Sequence, residues 1–226
     1  KASAPVTITT IALRAGRVVV RDVPTRTRAT FDRLDLDAAL PADAAPRLVL
    51  DGRLGAAPVH VEASGGARRQ ATIRLGDARI DIQGGDALEV RFEAPTLAAF
   101  PAALGLPLPD TPPVTLEGDL SRRADGLAVT NLGGGIGESA LTGELDWRRG
   151  AVRPRLTGRL DFEPLRAADI AGVVGAGPDD PALTRGRGPL PEVRFDARQL
   201  YSFDADLRLR ARAVVLPRAP VTGVDG

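Results

Sequence analysis

A five-residue unit, Leu-x-Gly-x-Leu, recurs along this chain and constrains its fold more than any other feature. It occurs at residues 116–120, 141–145 and 156–160, with a further copy at 50–54. Side chains of an extended strand alternate with period two, so each copy sets two leucines and a glycine on one face. The residues between them (Glu117 and Asp119, Thr142 and Glu144, Thr157 and Arg159) are polar and face the other way. The repeated design is a strand with an oily face and a wet face.

The same alternation runs outside the repeats. Residues 6–10 read as a strand, and 11–21 continue it, with Ala15-Gly16 as a hairpin turn and 18–20 as the returning strand. Residues 31–40 put Leu34 and Leu36 on one face and Arg33, Asp35 and Asp37 on the other. Strands follow at 47–54 and 59–63, then a hairpin of 70–75 and 79–83 around Gly76-Asp77, then a strand at 88–93. In the second half, strands fall at 114–120, 127–132, 138–147 and 152–162, with 148–150 as a hairpin tip. The last, 203–216, alternates Phe203, Ala205, Leu207, Leu209 and Ala211 with Asp204, Asp206, Arg208, Arg210 and Arg212.

Helical spacing appears only briefly. Residues 96–104 have it, with Thr96 as a cap, and Pro101 limits them to one or two turns. Pro107, Pro109, Pro112 and Pro113 make a rigid connector, and 164–170 reads as a short helix. Residues 172–191, rich in Gly, Pro and Asp, read as a mobile loop. The chain thus divides into an N-terminal β-sheet region (1–95), a short helix and Pro-rich connector (96–113) and a repeated-strand region (114–226).

Short connections favour antiparallel neighbours, and alternation without covering helices gives a sheet with one wet face. The oily face packs on a second sheet, closes into a barrel, or curls into a trough that holds something apolar.

Composition excludes several function classes. At 43% hydrophobic and 26% charged, the 226 residues are not disordered by composition. Net charge is +1, without the basic excess of a nucleic-acid binder. There is no cysteine, which removes disulfides, thiol catalysis and Cys-based zinc sites. No apolar run approaches the ~20 residues of a spanning helix. The chain starts at Lys1, not Met, and reads as a piece of a longer protein.

No catalytic or metal-binding set assembles. The only histidine, His60, falls on the polar face of its strand, an ordinary surface position. Gly133-Gly134-Gly135-Ile136-Gly137 lacks the Lys and the following helix of a phosphate loop and reads as a turn. Asp179, Asp180, Arg185 and Arg187 read as a solvated loop. Arg208, Arg210 and Arg212 form a basic ladder, which either meets lipid headgroups or, more simply, is a solvated face with cross-strand acidic partners. Trp147 and Phe162 end their strands and read as core or rim packing. The expectation is a protein that is not an enzyme and needs no cofactor.

At residues 127–170 the pattern resembles the AsmA-like family of bacterial envelope proteins. The matching residues are Gly137, Ser139, Leu141, Gly143 and Leu145, then Arg153, Pro154, Leu156, Gly158 and Leu160, with Leu165 after them. The later strand F-D-A-D-L-R-L-R-A-R-A-V-V-L-P and the 96–113 stretch are also similar to that family. The likeness covers about 96–225 well and 6–93 in style only. It implies a mainly β fold: a long, curled antiparallel sheet, an open β-taco-like trough, with a few short helices. It further implies a periplasmic place, tethered to the inner membrane through a segment outside this chain.

On this resemblance the protein carries phospholipid acyl chains between inner and outer membranes, supports outer-membrane assembly, and has outer-membrane assembly proteins as possible partners. The groove lining expected is Leu116, Leu120, Leu127, Val129, Leu141, Leu145, Leu156, Leu160, Leu207 and Leu209. A dozen strands at ~4.8 Å spacing stack to roughly 55–60 Å, a segment of a conduit. The alternative is a closed β-sandwich that scaffolds outer-membrane protein biogenesis without lipid. In that case the same leucines form a dry core.

Overall fold

A computed structural model of the chain describes residues 7–22, 27–99, 108, 110–150, 153–174 and 204–215. The strands are β1 (Thr10–Asp22), β2 (Thr27–Ala39), β3 (Arg47–Leu54), β4 (Ala57–Ser64), β5 (Arg69–Leu75), β6 (Ala78–Gly84) and β7 (Leu88–Ala94). After the connector come β8 (Val114–Arg122), β9 (Gly126–Ile136), β10 (Ser139–Arg148) and β11 (Arg155–Phe162), then the short β12 (Leu165–Arg166), β13 (Asp204–Ala211) and β14 (Val214–Val215).

Twelve of these strands make one sheet in chain order, β1 to β11 and then β13. Each neighbour is antiparallel up to β11, most pairs being joined by short connections. The sheet is open, with β1 and β13 as its two edges among the described residues, and it is not strongly curled. A long, mainly antiparallel sheet with almost no helix is the expected class. The described strands do not divide into the two packed sheets of a sandwich.

One strand departs from the antiparallel expectation. β13 runs parallel to β11, with Leu156 beside Ala205 and Leu160 beside Leu209. Parallel neighbours need a long crossover, and residues 163–203 supply it. β12, at the start of this crossover, forms a small parallel pair with β14.

Three bulges correct the strand reading. Ala15 (φ 49°), Arg33 (φ 54°) and Asn131 (φ 51°) sit in left-handed conformations inside β1, β2 and β9. Ala15-Gly16 is therefore no hairpin turn, and β1 runs on through it to Asp22. Each bulge slips the strand by one residue, which would turn the following side chains over. The apolar pattern shifts phase at the same places, from Leu13 to Val18, from Phe31 to Leu34 and from Val129 to Leu132. The oily side chains thus stay on one face across the bulge. Similarly, Gly133-Gly134-Gly135 is strand, and the turn comes at Gly137 (φ 58°).

The connector after β7 opens with a single 3-10 turn, Leu97–Ala99. Thr96 caps it as expected: its Oγ1 accepts the Ala98 N–H at 3.2 Å and the Thr111 N–H at 2.9 Å. The remainder of the expected helix, Pro101 included, lies outside the described residues. Ala94 pairs with Val114, so the sheet continues from the first half to the second across this connector. The expected helix at 164–170 is instead β12 followed by a 3-10 stretch, Ala167–Val174. Apart from residues 172–174, the expected loop at 172–191 lies outside the described residues.

Burial concentrates toward one rim. Leu54, Val59, Leu75 and Ala29 form one core cluster, and Leu132, Leu141 and Phe162 form a second. Both sit near the ends of strands that meet the turns at 55–56, 76–77 and 137–138. This rim carries the described ends of the connector, 95–99 and 110–113, and the 163–174 segment, whose Leu165 packs on the second cluster. The opposite rim carries the loops 40–46, 65–68, 85–87 and 123–125 and the ends of β10 and β11, and no described residue covers it.

Candidate functional site

The ladders place all ten expected lining residues on one face. Across β10 and β11, Leu141 opposes Phe162, Gly143 opposes Leu160, Leu145 opposes Gly158 and Trp147 opposes Leu156. Leu145 also opposes Val129, and Leu127 opposes Trp147. Leu120 opposes Val129, and Leu116 opposes Gly134. Leu207 and Leu209 lie beside Gly158 and Leu160. Directly opposed residues share a face, so the assignment rests on pairing and not on sequence spacing alone.

Packing separates these residues. Leu116, Val129, Leu145 and Leu160 pack on the cluster that holds Leu141. Leu120 and Leu156 are half-buried. Leu127, at 45% exposure, and Leu209, at 56%, present their side chains to solvent, and so does Leu207. The face thus has a packed floor near the capped rim and an accessible margin near the open rim and the β13 edge.

The face extends well beyond those ten. Phe92 opposes Leu116 and Ile80, and Ile80 opposes Ile73. Ile73 opposes Val61, Val61 opposes Leu50, and Leu50 opposes Leu36. Leu36 opposes Leu13 on the edge strand. The lining expected from sequence stopped at the second half, where the Leu-x-Gly-x-Leu copies cluster. The period-two pattern of residues 47–93 carried the same signal.

The other face is charged and self-paired. Arg79 donates to Asp81 at 2.6 Å, and Thr72 adds a bond at 2.7 Å. The Arg79 hydrogen bond holds the Asp81 carboxyl below the usual carboxylate range, against partial desolvation. Arg91 reaches Glu93 at 2.7 Å and Glu117 at 3.7 Å. Shallow depressions on this face are lined by such pairs, Arg79, Asp81, Arg91 and Glu117 among them. In the last strand's basic ladder, Arg210 lies opposite Asp161 and Arg212 pairs with Glu163, but Arg208 lies opposite Arg159.

His60 sits on this charged face, as expected. Its Nδ1 lies 2.6 Å from Asp51 Oδ1 and its Nε2 lies 3.2 Å from Glu62 Oε1. The Asp51 hydrogen bond pushes its pKa up, with partial desolvation opposing and Glu62 adding to the rise. Among the described residues no group of three His, Asp or Glu side chains is placed to hold a metal ion, and no helix is long and apolar enough to cross a membrane. Asp179, Asp180, Arg185 and Arg187 lie outside the described residues.

AsmA family protein YhjG of Escherichia coli (strain K12) is 27% identical to this chain over 173 residues. The aligned part is 64% of this chain and 25% of that protein. Over that stretch the chain is similar to an AsmA family protein. It spans about a quarter of the length of the curated relative it matches. No family model matches the chain, and no solved structure matches it.

The AsmA-like motif has a local physical basis here. Ser139 is fully buried, and its hydroxyl donates to Asp169 Oδ2 at 2.7 Å while accepting the Arg166 N–H at 2.8 Å. The Glu138 N–H donates to the same carboxylate oxygen at 3.1 Å. A Cβ on Gly137 would lie 2.5 Å from Asp169 Oδ1, so only glycine leaves room for this carboxylate. Arg166 Nε stands 2.8 Å from Glu138 Oε2, an ion-pair distance off the line of a hydrogen bond. These bonds fasten the 165–170 segment onto the β9–β10 turn and cap that end of the oily face.

Proposed function

We propose that this chain is a segment of a periplasmic AsmA-like protein, tethered to the inner membrane in full, that carries phospholipid acyl chains between the inner and outer membranes in support of outer-membrane assembly. It does so without covalent chemistry. The observation that carries the reading is the run of opposed apolar side chains across all twelve strands, from Leu13 to Leu209. The sheet serves as a shallow open trough: acyl chains lie on the oily face, and headgroups stay in water.

The energetics suit transport. Burying a methylene contributes about 0.8 kcal/mol, so ten methylenes half-covered by the face gain roughly 4 kcal/mol. That holds a chain on the sheet without trapping it. Apolar contact is non-directional, so a chain slides from one strand to the next with little change in energy.

Native mass spectrometry of protein purified gently from a bacterial envelope, followed by solvent extraction, tests this. Co-purifying phospholipid is expected. The accessible positions allow a clean variant: Leu127→Asp with Leu207→Asp removes the lipid and leaves β circular dichroism intact. A lipid-free mass from the folded, unmodified protein overturns the proposal and moves the reading to a scaffold.

A further inference from the structure

The open rim changes character between β8 and β11. Its two loops there are joined, the Arg149 N–H donating to Asp125 O at 2.8 Å. Arg122, Arg123, Arg148, Arg149 and Arg153 gather on this stretch against two acids, Asp125 and Asp146. Asp146 engages Arg148 at 2.6 Å and Arg123 at 3.8 Å. Arg122, Arg149 and Arg153 have no ion-pair partner among the described residues.

What sets these arginines apart from ordinary surface charge is the row they border. Arg122 opposes Leu127, Leu127 opposes Trp147, and Trp147 opposes Leu156. A cation, a leucine, the chain's only tryptophan and a second leucine thus lie side by side where the oily face ends. One step inward lie Leu120, Val129 and Leu145; one step outward are the arginine loops. Tryptophan and arginine together favour such a boundary, since each has an apolar body and a polar end.

We propose that this row is the headgroup site for an acidic phospholipid. The inference rests on the lipid-carrying reading above and adds where the lipid's charge is held and which way the lipid lies. The phosphate meets the guanidinium groups of Arg122 and Arg149, which offer paired N–H donors to its oxygens. The first methylenes lie on Leu127 and Leu156. From Trp147 to Leu141 the β10 column covers six residue steps, ~20 Å at ~3.3 Å each. That exceeds the ~15 Å of one leaflet of a ~30 Å hydrocarbon core. The chain therefore points toward the capped rim, where β10 begins at the buried Ser139. A net anionic headgroup is selected because the unpaired arginines outnumber the acids, and a zwitterionic one gains less.

The test uses the whole chain and the emission of Trp147 as the reporter. Vesicles of phosphatidylglycerol or of phosphatidylcholine are titrated at low salt. Tighter binding of phosphatidylglycerol is expected, with a blue shift of Trp147 emission and weakening in 0.5 M salt, where the Debye length is only ~4 Å. Arg122→Gln with Arg149→Gln is expected to lower phosphatidylglycerol affinity about tenfold and leave phosphatidylcholine unchanged. Equal loss of both lipids, loss of neither, or binding without a change in Trp147 emission overturns the headgroup site while the lipid reading stands. Displacement of phosphatidylglycerol by millimolar inorganic phosphate also overturns it, in favour of a free-anion site. If the unmodified protein takes up neither lipid, the lipid-carrying reading falls and the site falls with it.

Discussion

Leu145 on β10 lies directly across the ladder from Gly158 on β11. Next to it, Gly143 lies across from Leu160. The two Leu-x-Gly-x-Leu copies pair two residues out of step, so each inner leucine covers a glycine and not another leucine. A Cβ on Gly158 would come 2.8 Å from Leu145 Cδ2 and 2.4 Å from Glu144 O. The repeat thus works as a packing code between neighbouring strands. It levels the oily face by setting large side chains over gaps.

Gly158→Ala is accordingly expected to destabilise the sheet by about 1–3 kcal/mol, as overpacking of a fitted site does. Adding Leu145→Ala should relieve only the side-chain part, because the contact with Glu144 O is with backbone. Urea midpoints of the two single variants and the double variant measure this. A Gly158→Ala midpoint equal to that of the unmodified protein would remove the packing code.

Much of this was readable from sequence because alternation and the repeats are local. The strand faces, the turn at Gly76-Asp77 and the Thr96 cap all follow from neighbouring residues. Three features did not. The bulges at Ala15, Arg33 and Asn131 need a partner strand to define them, and the sequence hints at them only through the phase changes from Leu13 to Val18, Phe31 to Leu34 and Val129 to Leu132. The parallel direction of β13 depends on a crossover with no pattern of its own. The glycines at 133–135 mimic a turn in composition, yet Gly134 stands opposite Leu116 and Leu141, in the same leucine-over-glycine relation.

The latch at the capped rim gives an ordered set of stabilities. Ser139→Ala removes a donor to Asp169 and leaves the Arg166 N–H without its acceptor, at a cost of about 1–3 kcal/mol. Asp169→Ala strands both the buried Ser139 hydroxyl and the Glu138 N–H and should cost more. Asp169→Asn keeps an oxygen in place and should cost least. Thermal melting gives the order, and amide hydrogen exchange at Arg166 reports the latch directly. Unchanged exchange at Arg166 in Ser139→Ala would show that the serine does not fasten this segment.

The lone histidine makes one titration readable without assignment. Held by Asp51 first and by Glu62 in addition, His60 titrates above its ordinary 6.5. A folded-state value above the unfolded one means that its contribution to stability is full below about 6.5 and is lost as pH rises through the folded value. Proton NMR of the single imidazole follows it, and Asp51→Asn should bring the midpoint down toward the ordinary value. A midpoint that Asp51→Asn leaves unmoved would mean that the Asp51 bond is not formed in solution.

The bulge in β1 supplies the last test. Ala15 adopts φ 49°, and its N–H donates to Asp35 Oδ1 at 2.9 Å. A left-handed conformation costs an L-residue about 1–2 kcal/mol, and glycine avoids it. Glycine also widens the unfolded ensemble, which offsets about 0.4–1 kcal/mol of that gain. Ala15→Gly is therefore expected to stabilise by a few tenths of a kcal/mol to about 1 kcal/mol. Ala15→Val, whose branched side chain disfavours positive φ further, is expected to destabilise by about 2 kcal/mol or more. Equal denaturation midpoints for the glycine and valine variants would mean that the strand passes this point without the bulge. Leu13 and Val18 would then face opposite ways, and the apolar face would end at β2.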